Sequence, residues 1–188
     1  EGVDDYHNNS LPIEDFPIDT GRLRNVVERV AEEAGWGRQM PPGRGLGIAA
    51  HRSFLSYVAI VVDVSVTGKR LEVNEVHAAI DCGLAVNPDR VRAQVEGGII
   101  YGLSLAIHDD VTFRDGAVEQ SNFHDYPTLR LNQTPKKIAT YIVNGGGPPG
   151  GVGEPPVPPL APALTNAIVA AGGPRVRDLP LWERFDFG

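Results

Sequence analysis

The chain has 188 residues, enough for one domain of ordinary size, and its 41% hydrophobic and 22% charged residues are average globular usage, which excludes disorder over most of its length. Its 22 glycines and 16 prolines predict many tight turns and argue against a helical bundle or coiled coil. With 17 basic and 24 acidic residues the net charge is −7, and no basic run exceeds the pairs Lys69-Arg70 and Lys136-Lys137, so the basic face that nucleic acid requires is missing.

A single cysteine, Cys82, rules out a disulfide scaffold, a cysteine-based structural zinc site or an iron–sulfur cluster within this chain, and it reads as a small buried hydrophobe. The longest apolar run, Tyr57 to Val62, ends at Asp63, far short of the roughly 20 residues of a membrane span. The chain opens on Glu1-Gly-Val-Asp-Asp-Tyr6 without methionine or a signal-peptide pattern, as a piece of a longer polypeptide is expected to do.

Residues 1–19, mostly polar with Pro12 and Pro17, read as an extended lead-in, and 20–188 as the structured unit. Leu23, Val26, Val27, Val30, Ala31 and Ala34 recur at helical steps, with Gly35 as C-terminal cap, and predict a helix over 21–34. Trp36 to Gly45, including Arg38 and Arg44, shows no period and reads as a surface loop. Strands follow at Leu46–His51 and Ser56–Val66, and a turn at Thr67-Gly68-Lys69 leads to a third at Glu72–Ile80, an antiparallel hairpin with one face covered.

Asn87-Pro88 places an N-cap before a proline suited to the first helical position, and apolar spacing from Val91 to Ala106 predicts a long buried helix over 88–108. Gly97, Gly98 and Gly102 each cost that helix about 1 kcal/mol relative to alanine, which implies close packing against its backbone. A small hairpin is expected at 111–120, a strand at Lys137–Asn144, a helix at Ala161–Ala170, and a strand or extended tail at Arg175–Arg177. The predicted fold class is α+β, a mixed or antiparallel sheet packed with a long glycine-containing helix.

Between the last strand and the last helix lies Gly145-Gly-Gly-Pro-Pro-Gly-Gly-Val-Gly-Glu-Pro-Pro-Val-Pro-Pro159, without period of either kind. Glu154 has an open glycine backbone before it and rigid prolines after it. Such a loop either delivers one carboxylate to a ligand, where desolvation would suit it to general-base work, or exposes a solvated glutamate at the surface. Gln94, one turn from Gly98, falls on the packed face of the long helix, where a buried amide needs partners: a ligand, or protein backbone. The glycines at 145–153 lack the Gly-Lys-Ser/Thr of a phosphate loop, and Gly43-Arg-Gly-Leu-Gly47 precedes a strand instead of following one, so neither is a nucleotide motif. His7, His51, His77, His108 and His124 have no partners at metal-ligand spacing and read as ordinary surface or core residues, and no metal ligand is assigned. Asn122-Phe-His-Asp-Tyr126 reads as packing or as a pocket lining.

The runs Asp81-Cys-Gly-Leu-Ala-Val-Asn-Pro88, Gln94-Val-Glu-Gly-Gly-Ile-Ile-Tyr-Gly-Leu-Ser104, Asn122-Phe-His-Asp-Tyr126, Gly151-Val-Gly-Glu-Pro155 and Ala161-Pro-Ala-Leu-Thr-Asn-Ala167 resemble, in order, the C-terminal portion of the molybdopterin-binding large subunit of the xanthine oxidase and aldehyde oxidase family. The branch represented by the beta subunit of isoquinoline 1-oxidoreductase and membrane-associated aldehyde dehydrogenases is the most similar. The resemblance implies a molybdopterin-type molybdenum cofactor in the full-length protein, absent from this piece, with Glu154 as catalytic base and Gln94 and Gly153 beside the cofactor. In that family the carboxylate takes a proton from a molybdenum-bound hydroxide, the oxygen attacks an electron-poor carbon, and hydride passes to a sulfido ligand. Implied partners are the N-terminal remainder of the same subunit, a small iron–sulfur subunit, and an aldehyde or N-heterocycle substrate. A periplasmic or membrane-associated setting is compatible with the resemblance. The piece by itself is expected to fold without catalysing, and the alternative is a cofactor-free interaction or scaffolding domain of the same fold, with Glu154 idle.

Overall fold

The computed structural model describes residues 18–187. The elements run α1 (Thr20–Glu33), β1 (Arg44–Ser53), β2 (Ser56–Thr67), β3 (Arg70–Asp81), α2 (Pro88–Ile107), a two-residue hairpin of β4 (Phe113–Arg114) and β5 (Ala117–Val118), β6 (Lys137–Ile142) and α3 (Leu160–Ala170). The α+β class stands. Most of the lead-in lies outside the described residues, but Asp19 belongs to the fold: its side chain caps α1 by accepting from the amides of Gly21 and Arg22, and its own amide donates to the Tyr57 hydroxyl at 2.7 Å.

The main sheet has the order β1-β2-β3-β6. The first three strands are antiparallel, and β6 returns parallel to β3 after the α2 crossover, with Glu75 opposite Lys137 and Ile80 opposite Ile142. The sheet is therefore mixed.

The expectation that the β2–β3 hairpin has one covered face is corrected. Val58, Ile60, Val62 and Val64 pack into the layer formed with α2 and α3, while Tyr57, Ala59 and Val61 pack with Val26 and Val30 of α1 and its C-cap Ala34 on the opposite face. Burial on both faces explains why β2 reads as an uninterrupted apolar run, and each fully buried Ile or Val contributes about 1.5–3 kcal/mol. The glycine pattern of β1 follows from the same packing. A Cβ at Gly47 would stand 2.1 Å from the Ala163 carbonyl oxygen and one at Gly45 2.3 Å from the Ala171 nitrogen, so α3 lies directly on the strand backbone.

The stretch from Trp36 to Gly45 is also more than a surface loop. Arg44 opens β1 and forks onto the buried Asp63 carboxylate at 2.8 and 2.9 Å, Arg38 donates to it at 2.8 Å, and the Asn74 amide donates at 3.1 Å. A second buried carboxylate, Asp81 at the end of β3, takes a two-pronged donation from Arg22 at 2.8 and 2.7 Å and the amide of Gly83 at 3.0 Å. These pairs tie α1 and the 36–45 segment to the sheet. At the chain's end no strand forms at Arg175–Arg177, and the sheet edge at Arg70 is instead bridged in parallel by Asp186.

Candidate active site

Helix α2 begins as its sequence predicts, with the Asn87 side chain accepting from the Arg90 amide and Pro88 in the first turn. Its three glycines divide by environment. A Cβ at Gly98 would meet Pro156 Cγ at 2.6 Å and one at Gly102 would meet Leu160 Cδ2 at 3.0 Å, so these two admit the segment leading into α3. Gly97 meets nothing within 4 Å. It faces a cleft, and the close packing expected at all three positions is corrected to two.

The glycine-rich segment is fastened to the sheet end at successive points. A Cβ at Gly145 would overlap the Asp81 carboxylate, at 1.8 Å from Oδ2. The Gly150 amide donates to the Cys82 carbonyl and the Gly151 amide to the Phe54 carbonyl, both at 2.8 Å, while the buried Ser56 hydroxyl donates to the Gly151 carbonyl at 2.6 Å. On its far side the segment is anchored by buried Pro155 and Pro156, the latter on Gly98. Gly153 and Glu154 thus span the gap between a hydrogen-bonded clamp and a packed proline pair.

A cleft of about 710 Å³ opens beside them. Its walls are Gln94, Gly97 and Tyr101 of α2, His51 and Phe54 at the end of β1 and its turn, and Gly153 and Glu154 of the loop. All three site residues singled out in the sequence meet here, and Gly153 lies against Gln94: a Cβ on that glycine would stand 3.4 Å from Nε2. Their burial differs from expectation: Gln94 and Glu154 are both exposed to the cleft, so Gln94 is not on the packed face of α2 and Glu154 is not desolvated by this chain. The packed face carries Val91, Val95, Gly98 and Ile99. Among the described residues no hydrogen bond engages the Gln94 amide.

Three wall residues carry little signal in the sequence. Tyr101 was legible in principle, since it stands seven residues after Gln94 and four after Gly97 on one face of the helix. His51 and Phe54 carried no local signal. Burial lowers the pKa of His51, which keeps its imidazole uncharged at neutral pH. Cys82 is buried beneath the clamp, and desolvation raises its thiol pKa. The Asn122–Tyr126 loop lines an apolar hollow with Val111 and Val118, and Tyr126 neighbours the cleft residue Tyr101; Phe123 is 75% exposed in the hollow. His77 is a buried core histidine between Glu75 and Tyr141. Among the described residues no group of three metal-ligating side chains converges, and no helix is long and apolar enough to cross a membrane.

The mixed sheet with its crossover helix is a fold shared with solved molybdenum hydroxylases. Residues 28–135 match the molybdopterin cofactor-binding domain, and the chain belongs to that family. Gln94 lies inside the matched segment, and Gly153 and Glu154 lie beyond it. The chain is 38% identical over 161 residues to the beta subunit of isoquinoline 1-oxidoreductase from Brevundimonas diminuta, a match covering 83% of this chain and 20% of that protein. It is 31% identical over 179 residues to a subunit of nicotinate dehydrogenase from Pseudomonas putida, covering 85% of this chain and 15% of the relative. Among solved structures, the aldehyde oxidoreductase of Desulfovibrio gigas superposes with a TM-score of 0.59 at 25% identity, over 69% of this chain and 15% of that one. The chain thus spans about a fifth or less of the length of these relatives.

Proposed function

We propose that this chain is the C-terminal part of a molybdenum hydroxylase large subunit that oxidises an aldehyde or an aromatic N-heterocycle, with Glu154 as general base and Gln94 and Gly153 as cofactor contacts. The observation that carries this reading is the convergence of Gln94, Gly97, Gly153 and Glu154 from two distant segments on one cleft. The residues fit a molybdopterin group. Gly97 leaves helix backbone bare where a Cβ would meet nothing, and Gly153 does the same beside the Gln94 amide, whose donors and acceptor are free for a ligand rich in ring amides. When bound, the cofactor supplies the two-electron redox chemistry that no side chain in the cleft can perform.

The protein's own contribution is positional and electrostatic. The Gly151 clamp and the Pro155-Pro156 anchor fix the backbone on both sides of Glu154, so its side chain is presented from one place on the wall and the loop need not be ordered before it accepts a proton. Gln94, beside Gly153, would hold the cofactor edge. Desolvation of the carboxylate is left to whatever covers the open side of the cleft. In the complete enzyme that cover is the N-terminal remainder of the large subunit, and a small iron–sulfur subunit carries electrons away. The isoquinoline and nicotinate relatives support a longer subunit with a partner, since each is named as one subunit among others and each is far longer than the part this chain matches. Alone, the chain is expected to fold and not to turn over substrate.

The test is made in the full-length holoenzyme. Glu154→Gln keeps size and hydrogen bonding but removes the basic oxygen, and turnover per molybdenum is expected to fall by about 10² to 10⁴ at unchanged metal content. Gln94→Ala is expected to lower metal content with little change in activity per molybdenum. An E154Q enzyme that keeps more than about a tenth of its activity per metal refutes the base and favours the scaffolding alternative.

A further inference from the structure

The connection between β1 and β2 is built against ordinary turn chemistry. Ser53 pairs with Ser56, so Phe54 and Leu55 alone form a two-residue loop. Both have left-handed backbone, at φ 51° and 64°, two of the three non-glycine residues that do so among the described residues. Such a loop favours Asn-Gly, and a branched leucine beside a phenylalanine raises its conformational cost at both positions. Phe54 does not recover that cost in the core, because it is 60% exposed.

What the turn achieves is placement. The Gly151 amide donates to the Phe54 carbonyl and the Ser56 hydroxyl donates to the Gly151 carbonyl, so the turn and the loop bearing Glu154 are clamped together. Position 151 must be glycine for this: a Cβ there would stand 2.7 Å from Phe54 Cβ and 3.3 Å from Cγ. The phenyl ring is thereby placed on the wall of the cleft that His51 and Tyr101 also line, the latter 59% exposed. An apolar ring kept in a strained, solvent-facing position has no use to the fold, but it has one to a ligand with a flat face.

We infer that Phe54 is a specificity-determining residue whose ring packs against a planar conjugated ring bound in the cleft, that ring belonging either to the substrate or to the cofactor. This rests on reading the cleft as the active site. It narrows the substrate class to aromatic N-heterocycles if the ring is the substrate's, because an aliphatic aldehyde offers no face to stack.

Three full-length variants test it. Phe54→Leu keeps apolar bulk and removes the flat face, Phe54→Trp keeps a flat face, and Phe54→Asn combined with Leu55→Gly relieves the turn. Molybdenum content and KM are read with quinoline and with propionaldehyde, and amide hydrogen exchange is read on the peptide spanning 50–58. If the ring is the substrate's, F54L raises KM for quinoline about 3- to 10-fold, leaves propionaldehyde within about twofold, and keeps full metal content, while F54W restores quinoline binding. If it is the cofactor's, F54L lowers metal content and F54W restores it. The Asn-Gly variant should exchange more slowly at the turn and yet share the ligand defect of F54L, which separates lost function from lost folding. Unchanged metal content with both KM values unchanged, or both shifted alike, overturns the inference, as does an Asn-Gly turn that exchanges no more slowly. An E154Q enzyme assayed alongside reports on the base independently, since the Phe54 readouts are KM and metal content.

Discussion

Gly97 offers the sharpest separation between what the chain needs for itself and what it keeps for a ligand. Replacing it by alanine in mid-helix removes a cost of about 0.8–1 kcal/mol, and the added methyl meets no atom within 4 Å. The isolated chain should therefore become more stable, with its unfolding midpoint rising by about 2–4 °C for a protein of this size. One position on, Gly98→Ala brings a methyl to 2.6 Å from Pro156 Cγ, so the same propensity gain is set against overpacking of about 1–3 kcal/mol, and the midpoint should fall. Thermal unfolding by circular dichroism reads both. In the full-length enzyme the stabilising G97A change should lower molybdenum content if the proposed function holds, because the methyl would then occupy surface that contacts the cofactor. A G97A chain that unfolds at a lower temperature refutes the open-space reading. A full-length G97A enzyme that loads metal normally refutes the assignment of that space to the cofactor.

Other outcomes follow from the buried polar groups. Asp63→Ala strands Arg44, Arg38 and Asn74 around an empty site; the two guanidinium groups are partly exposed and can rehydrate, so a cost near the low end of about 3–5 kcal/mol is expected, a drop of at least about 6 °C by calorimetry. Cys82 should resist iodoacetamide in the native chain and label fully in denaturant, since burial both covers the thiol and raises its pKa; rapid stoichiometric labelling of the native chain would contradict the structure. The Asp125 carboxylate, hydrogen-bonded by the backbone of Asn122 and by the backbone and hydroxyl of Ser121, has its pKa lowered from 3.8 to about 2. A depressed carboxylate keeps its contribution above the unfolded pKa and loses it as pH falls through the folded one, so the Ser121 and Asn122 amide resonances should titrate with a midpoint near 2, and a midpoint near 3.8 would show the loop open.

The elements that the sequence makes legible are those with a local signature. The period of α1, the Asn87-Pro88 start of α2 and the β-branched run of β2 each appear within two residues of their expected bounds. What stayed hidden depends on partners far along the chain. Arg38 and Arg44 look like solvated loop residues because Asp63, the carboxylate they neutralise, is 25 and 19 positions away. The second covered face of β2 becomes visible only once α1 is placed behind it. Glycine spacing in α2 announced close approach without saying of what: Gly98 and Gly102 receive the chain itself, Gly97 the cleft.

The site was half legible for the same reason. Glu154 and Gln94 stand out by composition and by resemblance, but the residue that aims the Glu154 loop, Ser56, is the opening serine of a largely apolar strand, 95 positions from the carbonyl it holds. Sheet topology creates that contact. Because β6 returns parallel to β3, the chain leaves the sheet at the same end as Asp81 and the β1–β2 turn, and its next residues lie within reach of Phe54, Ser56 and Cys82. Residues without a Cβ can approach other groups closely, which accounts for Gly145 against Asp81, Gly150 against Ser56 and Gly151 against Phe54, while Gly146 and Gly147 serve the turn by their left-handed backbone. The period-free stretch that looks least structured in the sequence is therefore fastened to the sheet end at Asp81, Cys82, Phe54 and Ser56, and a few residues further on its carboxylate and the bare backbone of Gly97 line one cleft.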